Sequence, residues 1–413
     1  MIKSQSQLNI GTVGHVDHGK TTLVWALSGQ WAARHSEEMK RGVTLKLGYA
    51  DVEVLKCPKC PPPQCYTTVN LSGSVCRYCG SPLQPLRKFS FVDCPGHEML
   101  MATMLAGATL MDGALLVIDA TVPCPQPQTR EHLKALEIIG VKDIIIVQNK
   151  VDVVPRDKIL ENYRQIVEFV KGSVAEGAPI IPVSALHRIN LDVLIEAIEE
   201  RIKTPNRDES KPTQMFIARS FDVNKPGTPP DKLKGGVIGG AITQGVLRVG
   251  DEVEVRPGLR FERGGHIYYE PIFTWVTSLV SGEVELKEAR PGGLIGVGTS
   301  LDPSLTKADS LVGNVAGKPG TLPPTRSELD LEVKLLERAV GTAELVKIEN
   351  IKPGEQLMIT VGTATSVGVV TSSSKEEVRV KLRRAVCCAD KARVAINRSI
   401  GGRFRLIGYG IIR

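Results

Sequence analysis

Two apolar patterns alternate through the first two hundred residues. Short unbroken runs read as buried strands: Leu8-Asn9-Ile10-Gly11-Thr12-Val13, Phe89-Ser90-Phe91-Val92, Ile144-Ile145-Ile146-Val147 and Pro179-Ile180-Ile181-Pro182-Val183. Between and after them, residues 98–110, 128–139, 156–171 and 190–203 carry helical periodicity. Strand–helix alternation of this kind predicts a doubly wound, mostly parallel α/β sheet over residues 1–206. A polar, proline-bounded segment closes it, Pro205-Asn206-Arg207-Asp208-Glu209-Ser210-Lys211-Pro212. The texture then changes to short β-branched runs punctuated by Arg256-Pro257-Gly258, Arg290-Pro291-Gly292-Gly293, Lys318-Pro319-Gly320 and Lys352-Pro353-Gly354. That rhythm predicts antiparallel β-barrels. A second boundary in Ala316-Gly317-Lys318-Pro319-Gly320-Thr321-Leu322-Pro323-Pro324 makes two of them, 207–322 and 323–413. The length, 413 residues, suits such a multidomain chain.

Gly14-His15-Val16-Asp17-His18-Gly19-Lys20-Thr21 follows the first strand and opens a helix-compatible run, Thr22-Leu23-Val24-Trp25-Ala26-Leu27. G-x-x-x-x-G-K-[ST] in that context is a phosphate loop. Gly14 and Gly19 let the backbone N–H groups converge on one concavity. Lys20 brings a charge to the β- and γ-phosphates, the helix N-terminus adds its dipole, and Thr21 offers a hydroxyl to Mg²⁺. Asp17 could ligate an additional cation, or simply face solvent.

The base is selected further along. Asn149-Lys150-Val151-Asp152 ends a strand, and Asp152 is an acceptor-only carboxylate suited to the N1–H and N2–H₂ donors of guanine. Asn149 can donate to N7, the Lys150 stem can lie along the base, and Ser184-Ala185-Leu186 suits a backbone N–H aimed at O6. Between these segments, Asp93-Cys94-Pro95-Gly96-His97 follows another strand. Asp93 is expected to hold Mg²⁺ through water and the Gly96 N–H to sense the γ-phosphate. His97 stands where a water-orienting residue belongs, since phosphoryl transfer is catalysed mainly by positioning and charge stabilisation. Arg41-Gly42-Val43-Thr44 offers Thr44 as a second Mg²⁺ ligand, expected only while the γ-phosphate is present.

Cys57-x-x-Cys60 and Cys76-x-x-Cys79 have the spacing of a zinc knuckle. Four thiolates on two tight turns close a tetrahedral site with no open position, which is structural, not catalytic. The intervening Pro61-Pro62-Pro63-Gln64-Cys65 and Ser72-Gly73-Ser74 offer no core, so metal is expected to order the insert, 57–79. Two disulfides or four free thiols remain alternatives, and Cys65 is a spare thiol that could compete as a ligand. Cys94, Cys124, Cys387 and Cys388 read as small core residues. Nothing resembles a signal peptide or a transmembrane stretch, so a cytoplasmic location without a membrane partner is expected.

In this order and spacing, residues 14–21, 41–44, 93–98, 149–152 and 184–186 resemble the translational GTPases of the elongation factor Tu class. The chain is more similar still to the gamma subunit of archaeal and eukaryotic translation initiation factor 2. That narrower likeness rests on Pro125-Gln126-Pro127-Gln128-Thr129-Arg130-Glu131-His132, on residues 219–228 and 234–240, and on the cysteine insert. One departure is Cys94, where alanine is more familiar. The resemblance implies GTP or GDP held by Asp17, His18, Gly19, Lys20, Thr21, Thr22, Gly96, Asn149, Lys150, Asp152, Ser184, Ala185 and Leu186. It implies Mg²⁺ at Thr21, Thr44 and Asp93, Zn²⁺ at the four CxxC cysteines, and a three-domain arrangement. Val16 and Val43 resemble an apolar gate that screens His97 from water, so hydrolysis to GDP and phosphate should be slow unless stimulated.

The implied partners are initiator methionyl-tRNA, gripped between the GTPase domain and the second barrel, an alpha subunit on the second barrel, and a beta subunit on the GTPase domain. Delivery to the small ribosomal subunit and its mRNA complex follows. A net charge of +7 permits a polyanionic partner. From 381 onward, Lys381, Arg383, Arg384, Lys391, Arg393, Arg398, Arg403, Arg405 and Arg413 face a single acid, Asp390. Clustered on a barrel, they would bind phosphates; as a solvated strand face, they would not. Aromatics at 4% disfavour base stacking on single-stranded RNA and leave shape recognition of a folded one. The alternatives are an elongation-type factor delivering a specialised aminoacyl-tRNA and a GTP-binding scaffold that does not hydrolyse.

Overall fold

The apolar runs of the first half become the middle strands of a seven-stranded sheet in the computed structural model, which describes residues 5–31, 47–97, 101–337 and 347–413. Its strands are β1 (Asn9–Val13), β2 (Gly48–Lys56), β3 (Tyr66–Thr68), β4 (Gln84–Asp93), β5 (Gly113–Asp119), β6 (Asp143–Asn149) and β7 (Ile180–Pro182). They lie in the order β3-β2-β4-β1-β5-β6-β7, parallel from β4 to β7, with β2 and β3 antiparallel at one edge. Every residue of β1 and β5 is buried, which requires cover on both faces of the sheet.

The helices are α1 (Lys20–Ser28), α2 (Val69–Ser72), α3 (Met101–Ala108), α4 (Pro127–Ile139), α5 (Arg156–Val170) and α6 (Leu191–Arg201). Leu23, Val24 and Leu27 of α1 share one core with Leu194, Ile195 and Ile198 of α6 and with Ile10, Leu115, Val117, Ile145 and Val147 of the strands. Residues 98–100 of the expected second helix lie outside the described residues, as do residues 41–44.

This unit reaches to Pro205; a second compact unit begins at Asn206. The second holds β8 (Gln214–Phe221), β9 (Val237–Gln244), β10 (Leu247–Arg248), β11 (Glu252–Arg263), β12 (His266–Ser281), β13 (Val284–Leu286), β14 (Glu288–Ala289), β15 (Ile295–Thr299) and β16 (Val315–Gly317). The ring β11-β16-β8-β9-β15-β12 closes through β11–β12 pairing, with β13 added on β12. Then β17 (Thr325–Leu335), β18 (Gln356–Val361), β19 (Ala364–Ser373), β20 (Glu377–Cys387), β21 (Arg393–Ile400) and β22 (Arg403–Ile412) form a second closed antiparallel barrel. Alternation explains its core: Val378, Val380 and Leu382 point inward while Arg379, Lys381 and Arg383 point to solvent.

Barrel closure alters the charge picture drawn from the linear sequence. Arg398 pairs with Glu355 and Arg413 with Glu377 at 2.6 Å, so acids from earlier in the chain offset part of the basic run. Arg405 is buried. Lys381, Arg383 and Arg384 remain exposed on the outer face.

The cysteine insert sits beyond the ends of the long β2–β4 ribbon. It is more ordered than its proline- and serine-rich sequence suggests. β3 pairs with β2, α2 follows, and Tyr66 and Leu71 pack against the main core of the sheet.

Candidate functional site

The phosphate loop connects the end of β1 to the start of α1. Gly14 has φ 139° and Gly19 φ 88°. A Cβ on Gly14 would lie 2.3 Å from the Val117 carbonyl oxygen, and one on Gly19 would lie 2.3 Å from Asn149 Nδ2. Both positions therefore need glycine for conformation and for space. Lys20 is buried, and its Nζ donates to the carbonyls of Gly14 at 3.0 Å and His15 at 2.6 Å. Asp17 is exposed at φ 60°, Val16 is half-buried, and Thr22 lies in the first turn of α1.

Asp93 ends β4 directly beside this loop. Its Oδ1 accepts from Thr12 Oγ1 and its Oδ2 from Thr21 Oγ1, each at 2.6 Å. A carboxylate beside a phosphate-loop hydroxyl is an oxygen donor set suited to a hard divalent cation. A Cβ on Gly96 would meet Lys20 Nζ at 2.5 Å and Val16 N at 2.9 Å, so the Gly96 backbone lies against the loop. His97 follows it, exposed. Val43 and Thr44 lie outside the described residues.

Asn149 is the bridge of the site. Its Oδ1 accepts from Ala185 N–H at 3.0 Å, and its Nδ2 donates to the His18 carbonyl at 3.0 Å, joining the phosphate loop to the Ser184-Ala185-Leu186 turn. One Nδ2 proton is left over for a ligand. Lys150 stands at φ 63° with Nζ 2.6 Å from Asp119 Oδ2. Asp152 Oδ2 lies 3.5 Å from His187 Nε2. Ser184 and Ala185 are buried, whereas Leu186 is 65% exposed.

Sequence reading missed two residues here. Asp119, at the end of β5, pins the Lys150 ammonium; burial pushes its carboxyl up, but hydrogen bonds from Lys150 and Thr121 hold it below the usual range. His132, on α4, accepts the Gly14 N–H at Nδ1 over 2.9 Å while itself buried. It lies on a mixed buried face with Gln128, Thr129, Ala135 and Leu136, where nothing in the local pattern marks its role.

Burial lowers His132 to about 3, helped by the charge of Lys20. Burial likewise lowers His18 to about 4, against its hydrogen bond to the Val117 carbonyl. Both imidazoles are therefore neutral in the fold and ordinary in the unfolded chain. Below pH about 6.5 the unfolded state binds protons that the folded state refuses until about 4 and then about 3. Stability is thus present above about 6.5 and lost as pH falls, with a limiting slope of about 1.4 kcal/mol per pH unit per histidine. Denaturant unfolding at pH 7 and pH 5 should show His132→Gln less acid-sensitive than the parent. Equal pH slopes for the two proteins would remove His132 from the effect.

The sulfurs of Cys57, Cys60, Cys76 and Cys79 all lie within 4.8 Å of one another, and no other such group occurs among the described residues. Cys57 to Cys79 is 3.5 Å and Cys60 to Cys76 is 3.7 Å. These match the edge of a tetrahedron with bonds of about 2.3 Å, which is about 3.8 Å, and not a disulfide at about 2.05 Å. Hydrogen bonding by Ser81 lowers Cys79 to about 6, and backbone N–H groups of Cys79 and Tyr78 lower Cys76, whereas burial pushes Cys60 up. The donor set fits a thiophilic tetrahedral cation. Cys65 is buried against Cys57 and Cys76 but is not one of the four whose sulfurs converge. Cys94, Cys387 and Cys388 are buried as expected; Cys124 is only half-buried, with its N–H donating to Gln165.

Residues 5–204 match the family described as Elongation factor Tu GTP binding domain, and residues 327–412 the one described as Initiation factor eIF2 gamma, C terminal. Fold and site thus define a translational GTPase, an enzyme that hydrolyses GTP. Over 412 residues the chain is 59% identical to translation initiation factor 2 subunit gamma of Methanothermobacter thermautotrophicus, covering 100% of both. Over 409 residues it is 59% identical to the same subunit of Pyrococcus horikoshii, covering 99% of this chain and 98% of that one. The chain belongs to the translation initiation factor 2 subunit gamma family. In fold it is similar to a bacterial selenocysteine-specific elongation factor, with TM-score 0.74 at 24% identity over 98% of this chain and 58% of that one. It is also similar in fold to the elongation factor SelB of Methanococcus maripaludis, with TM-score 0.72 at 21% identity over 99% and 79%. No helix among the described residues is long and apolar enough to cross a membrane.

Proposed function

We propose that this chain binds initiator methionyl-tRNA in its GTP form, delivers it to the small ribosomal subunit and its mRNA complex, and is released after hydrolysis. The observation that carries this reading is the full-length similarity to initiation factor 2 gamma subunits, on a chain whose phosphate, sensor and base loops are knit together by Lys20, Asp93 and Asn149. Residues 1–206 form the GTP-binding domain, and 207–322 and 323–413 the two barrels. Alpha and beta subunits complete a cytoplasmic heterotrimer.

The loop of Asp17, His18, Gly19, Lys20, Thr21 and Thr22 cradles the phosphates; Asn149, Lys150, Asp152, Ser184, Ala185 and Leu186 hold guanine. Thr21, Asp93 and Thr44 hold Mg²⁺, which neutralises phosphate charge, while Asp17 is placed to reach a further cation. Zn²⁺ at Cys57, Cys60, Cys76 and Cys79 orders the insert. Gly96 and Thr44 stay in place only while the γ-phosphate is bound; losing it frees both loops. His97 orients the attacking water once Val16 and Val43 part.

Filter binding of initiator and elongator methionyl-tRNA to the assembled heterotrimer, with GTP or GDP, tests the reading. Initiator tRNA with GTP should bind tighter than each other combination by roughly tenfold, about 1.4 kcal/mol. Equal retention of both tRNAs would favour an elongation-type carrier, and nucleotide-independent retention would favour a scaffold.

A further inference from the structure

We propose that the cysteine insert braces the guanine loop: Asn70, Arg188 and Asp192 are positioning residues through which the metal-bound insert sets how long a guanine nucleotide stays. The inference rests on the reading that residues 149–152 and 184–186 hold guanine.

Three contacts place the insert between the two helices that leave the nucleotide loops. The last carbonyls of α1 run out of helical N–H partners, although that of Trp25 is already capped by the Gly29 N–H at 2.8 Å. Asn70 Nδ2 donates to those of Trp25 at 3.2 Å and Ala26 at 2.8 Å, and Thr68 Oγ1 to that of Leu27 at 2.8 Å. The insert thus caps the helix that begins at Lys20. From the other side, the Arg188 guanidinium lies 5.4 Å over the Trp25 ring and reaches the Asn70 carbonyl at 3.5 Å. Arg188 belongs to the turn that Ser184 and Ile189 close by reciprocal backbone hydrogen bonds of 3.3 and 3.0 Å. That turn carries the Ala185 N–H bound by Asn149.

The third contact joins the metal turn itself to α6. In Cys76-Arg77-Tyr78-Cys79, the two residues between the sulfurs both hold one carboxylate oxygen. Arg77 Nη2 and Tyr78 Oη donate to Asp192 Oδ2 at 3.1 and 3.0 Å. Asp192 is 9% exposed, in the first turn of α6, just beyond the guanine turn. Closing the four sulfurs on a cation fixes the backbone that presents Arg77 and Tyr78. Opening them releases Asp192, and with it the entry to α6 and the turn before it.

The test is the dissociation rate of fluorescent GDP from the purified chain, chased with unlabelled GDP, alongside a count of bound zinc. Stripping zinc with a chelator should speed release roughly five- to tenfold. Asp192→Asn should speed release by a similar factor with its zinc retained, and stripping zinc from that variant should then add little. Release unchanged by zinc removal, or effects of removal and substitution that multiply as independent factors, would overturn the brace. If Asp192→Asn does not fold, Tyr78→Phe takes its place: faster release with zinc retained supports the brace, and unchanged release overturns it. Failure to bind GDP at all would instead defeat the guanine reading on which the inference rests.

Discussion

Replacing Asp152 by asparagine is expected to lower guanine nucleotide affinity by about 100-fold or more and to raise affinity for xanthine nucleotides. Guanine presents N1–H and N2–H₂ along one edge, and a carboxylate accepts from both. Two hydrogen bonds to a charged acceptor are worth roughly 1.5–3 kcal/mol each, so their loss easily exceeds the 2.7 kcal/mol or so that a 100-fold change requires. Asparagine keeps the shape but turns one acceptor into a donor, which then faces the guanine amino group. Xanthine carries a carbonyl at that position and accepts from the new amide. The surroundings favour a clean exchange. Asp152 is held only loosely by His187, at 3.5 Å, while Asn149, Lys150 and Ala185 keep partners that the substitution leaves alone. Competition of GDP and xanthosine diphosphate against a fluorescent nucleotide reads both changes. An Asp152→Asn protein with parental GDP affinity would take Asp152 out of the base site.

The parts of this site that could be read from the chain are those whose chemistry is local. The loop from Gly14 to Thr21, the Asp93-Cys94-Pro95-Gly96 turn and the Asn149-Lys150-Val151-Asp152 turn each place their working groups within a few residues, at strand ends. What stayed hidden lies far apart in sequence. His132 supports Gly14 from 118 residues away, and Asp119 reaches Lys150 only because β5 and β6 run parallel and in register, Asp119 beside Asn149. Pattern analysis treats a histidine on a buried helix face as core, and nothing local distinguishes a core histidine from one whose Nδ1 holds the phosphate loop. Asn149 itself changes meaning. Read as a donor to guanine N7, it also spends its oxygen and one amide proton tying two loops together, with one proton left for a ligand.

The fold shows the same division. Strand–helix alternation and the barrel rhythm were legible because the sheet strands are unbroken buried runs, whereas burial alternates along barrel strands such as β20. Two features were not. The proline- and serine-rich insert looked coreless, yet Tyr66 and Leu71 borrow the core of the sheet, and Thr68 and Asn70 borrow helix carbonyls. The basic C-terminal run looked uncompensated, yet barrel folding brings Glu355 to Arg398 and Glu377 to Arg413. Both depend on pairings that cross many residues of sequence, so composition and spacing carry no trace of them.

His97→Ala is expected to leave nucleotide affinity near the parental value and to lower stimulated GTP hydrolysis by about 10²–10⁴, the range associated with one positioned proton-transfer or water-orienting group. The separation of the two effects follows from the layout. In the proposed site, phosphate and metal contacts would come from the loop, Thr21, Asp93 and the Gly96 backbone, which lies against Lys20 and Val16. His97 follows Gly96 in sequence and is exposed, so truncating its ring leaves that packing intact. What is removed is a group that can order a water on the far side of the γ-phosphate from the leaving oxygen. Single-turnover hydrolysis with and without ribosomal complexes, beside nucleotide dissociation constants, separates the effects. His97→Gln, which keeps a hydrogen-bonding group at similar reach, should fall between parent and alanine variant. Full stimulated turnover in His97→Ala would sink the assignment; a parallel loss of affinity would move His97 from orienting water to holding the loop. Val16→Ala supplies the complementary reading: thinning the apolar gate should raise unstimulated hydrolysis severalfold in the parent and leave the His97→Ala background unmoved. Acceleration in both backgrounds would show that Val16 limits water access independently of the histidine.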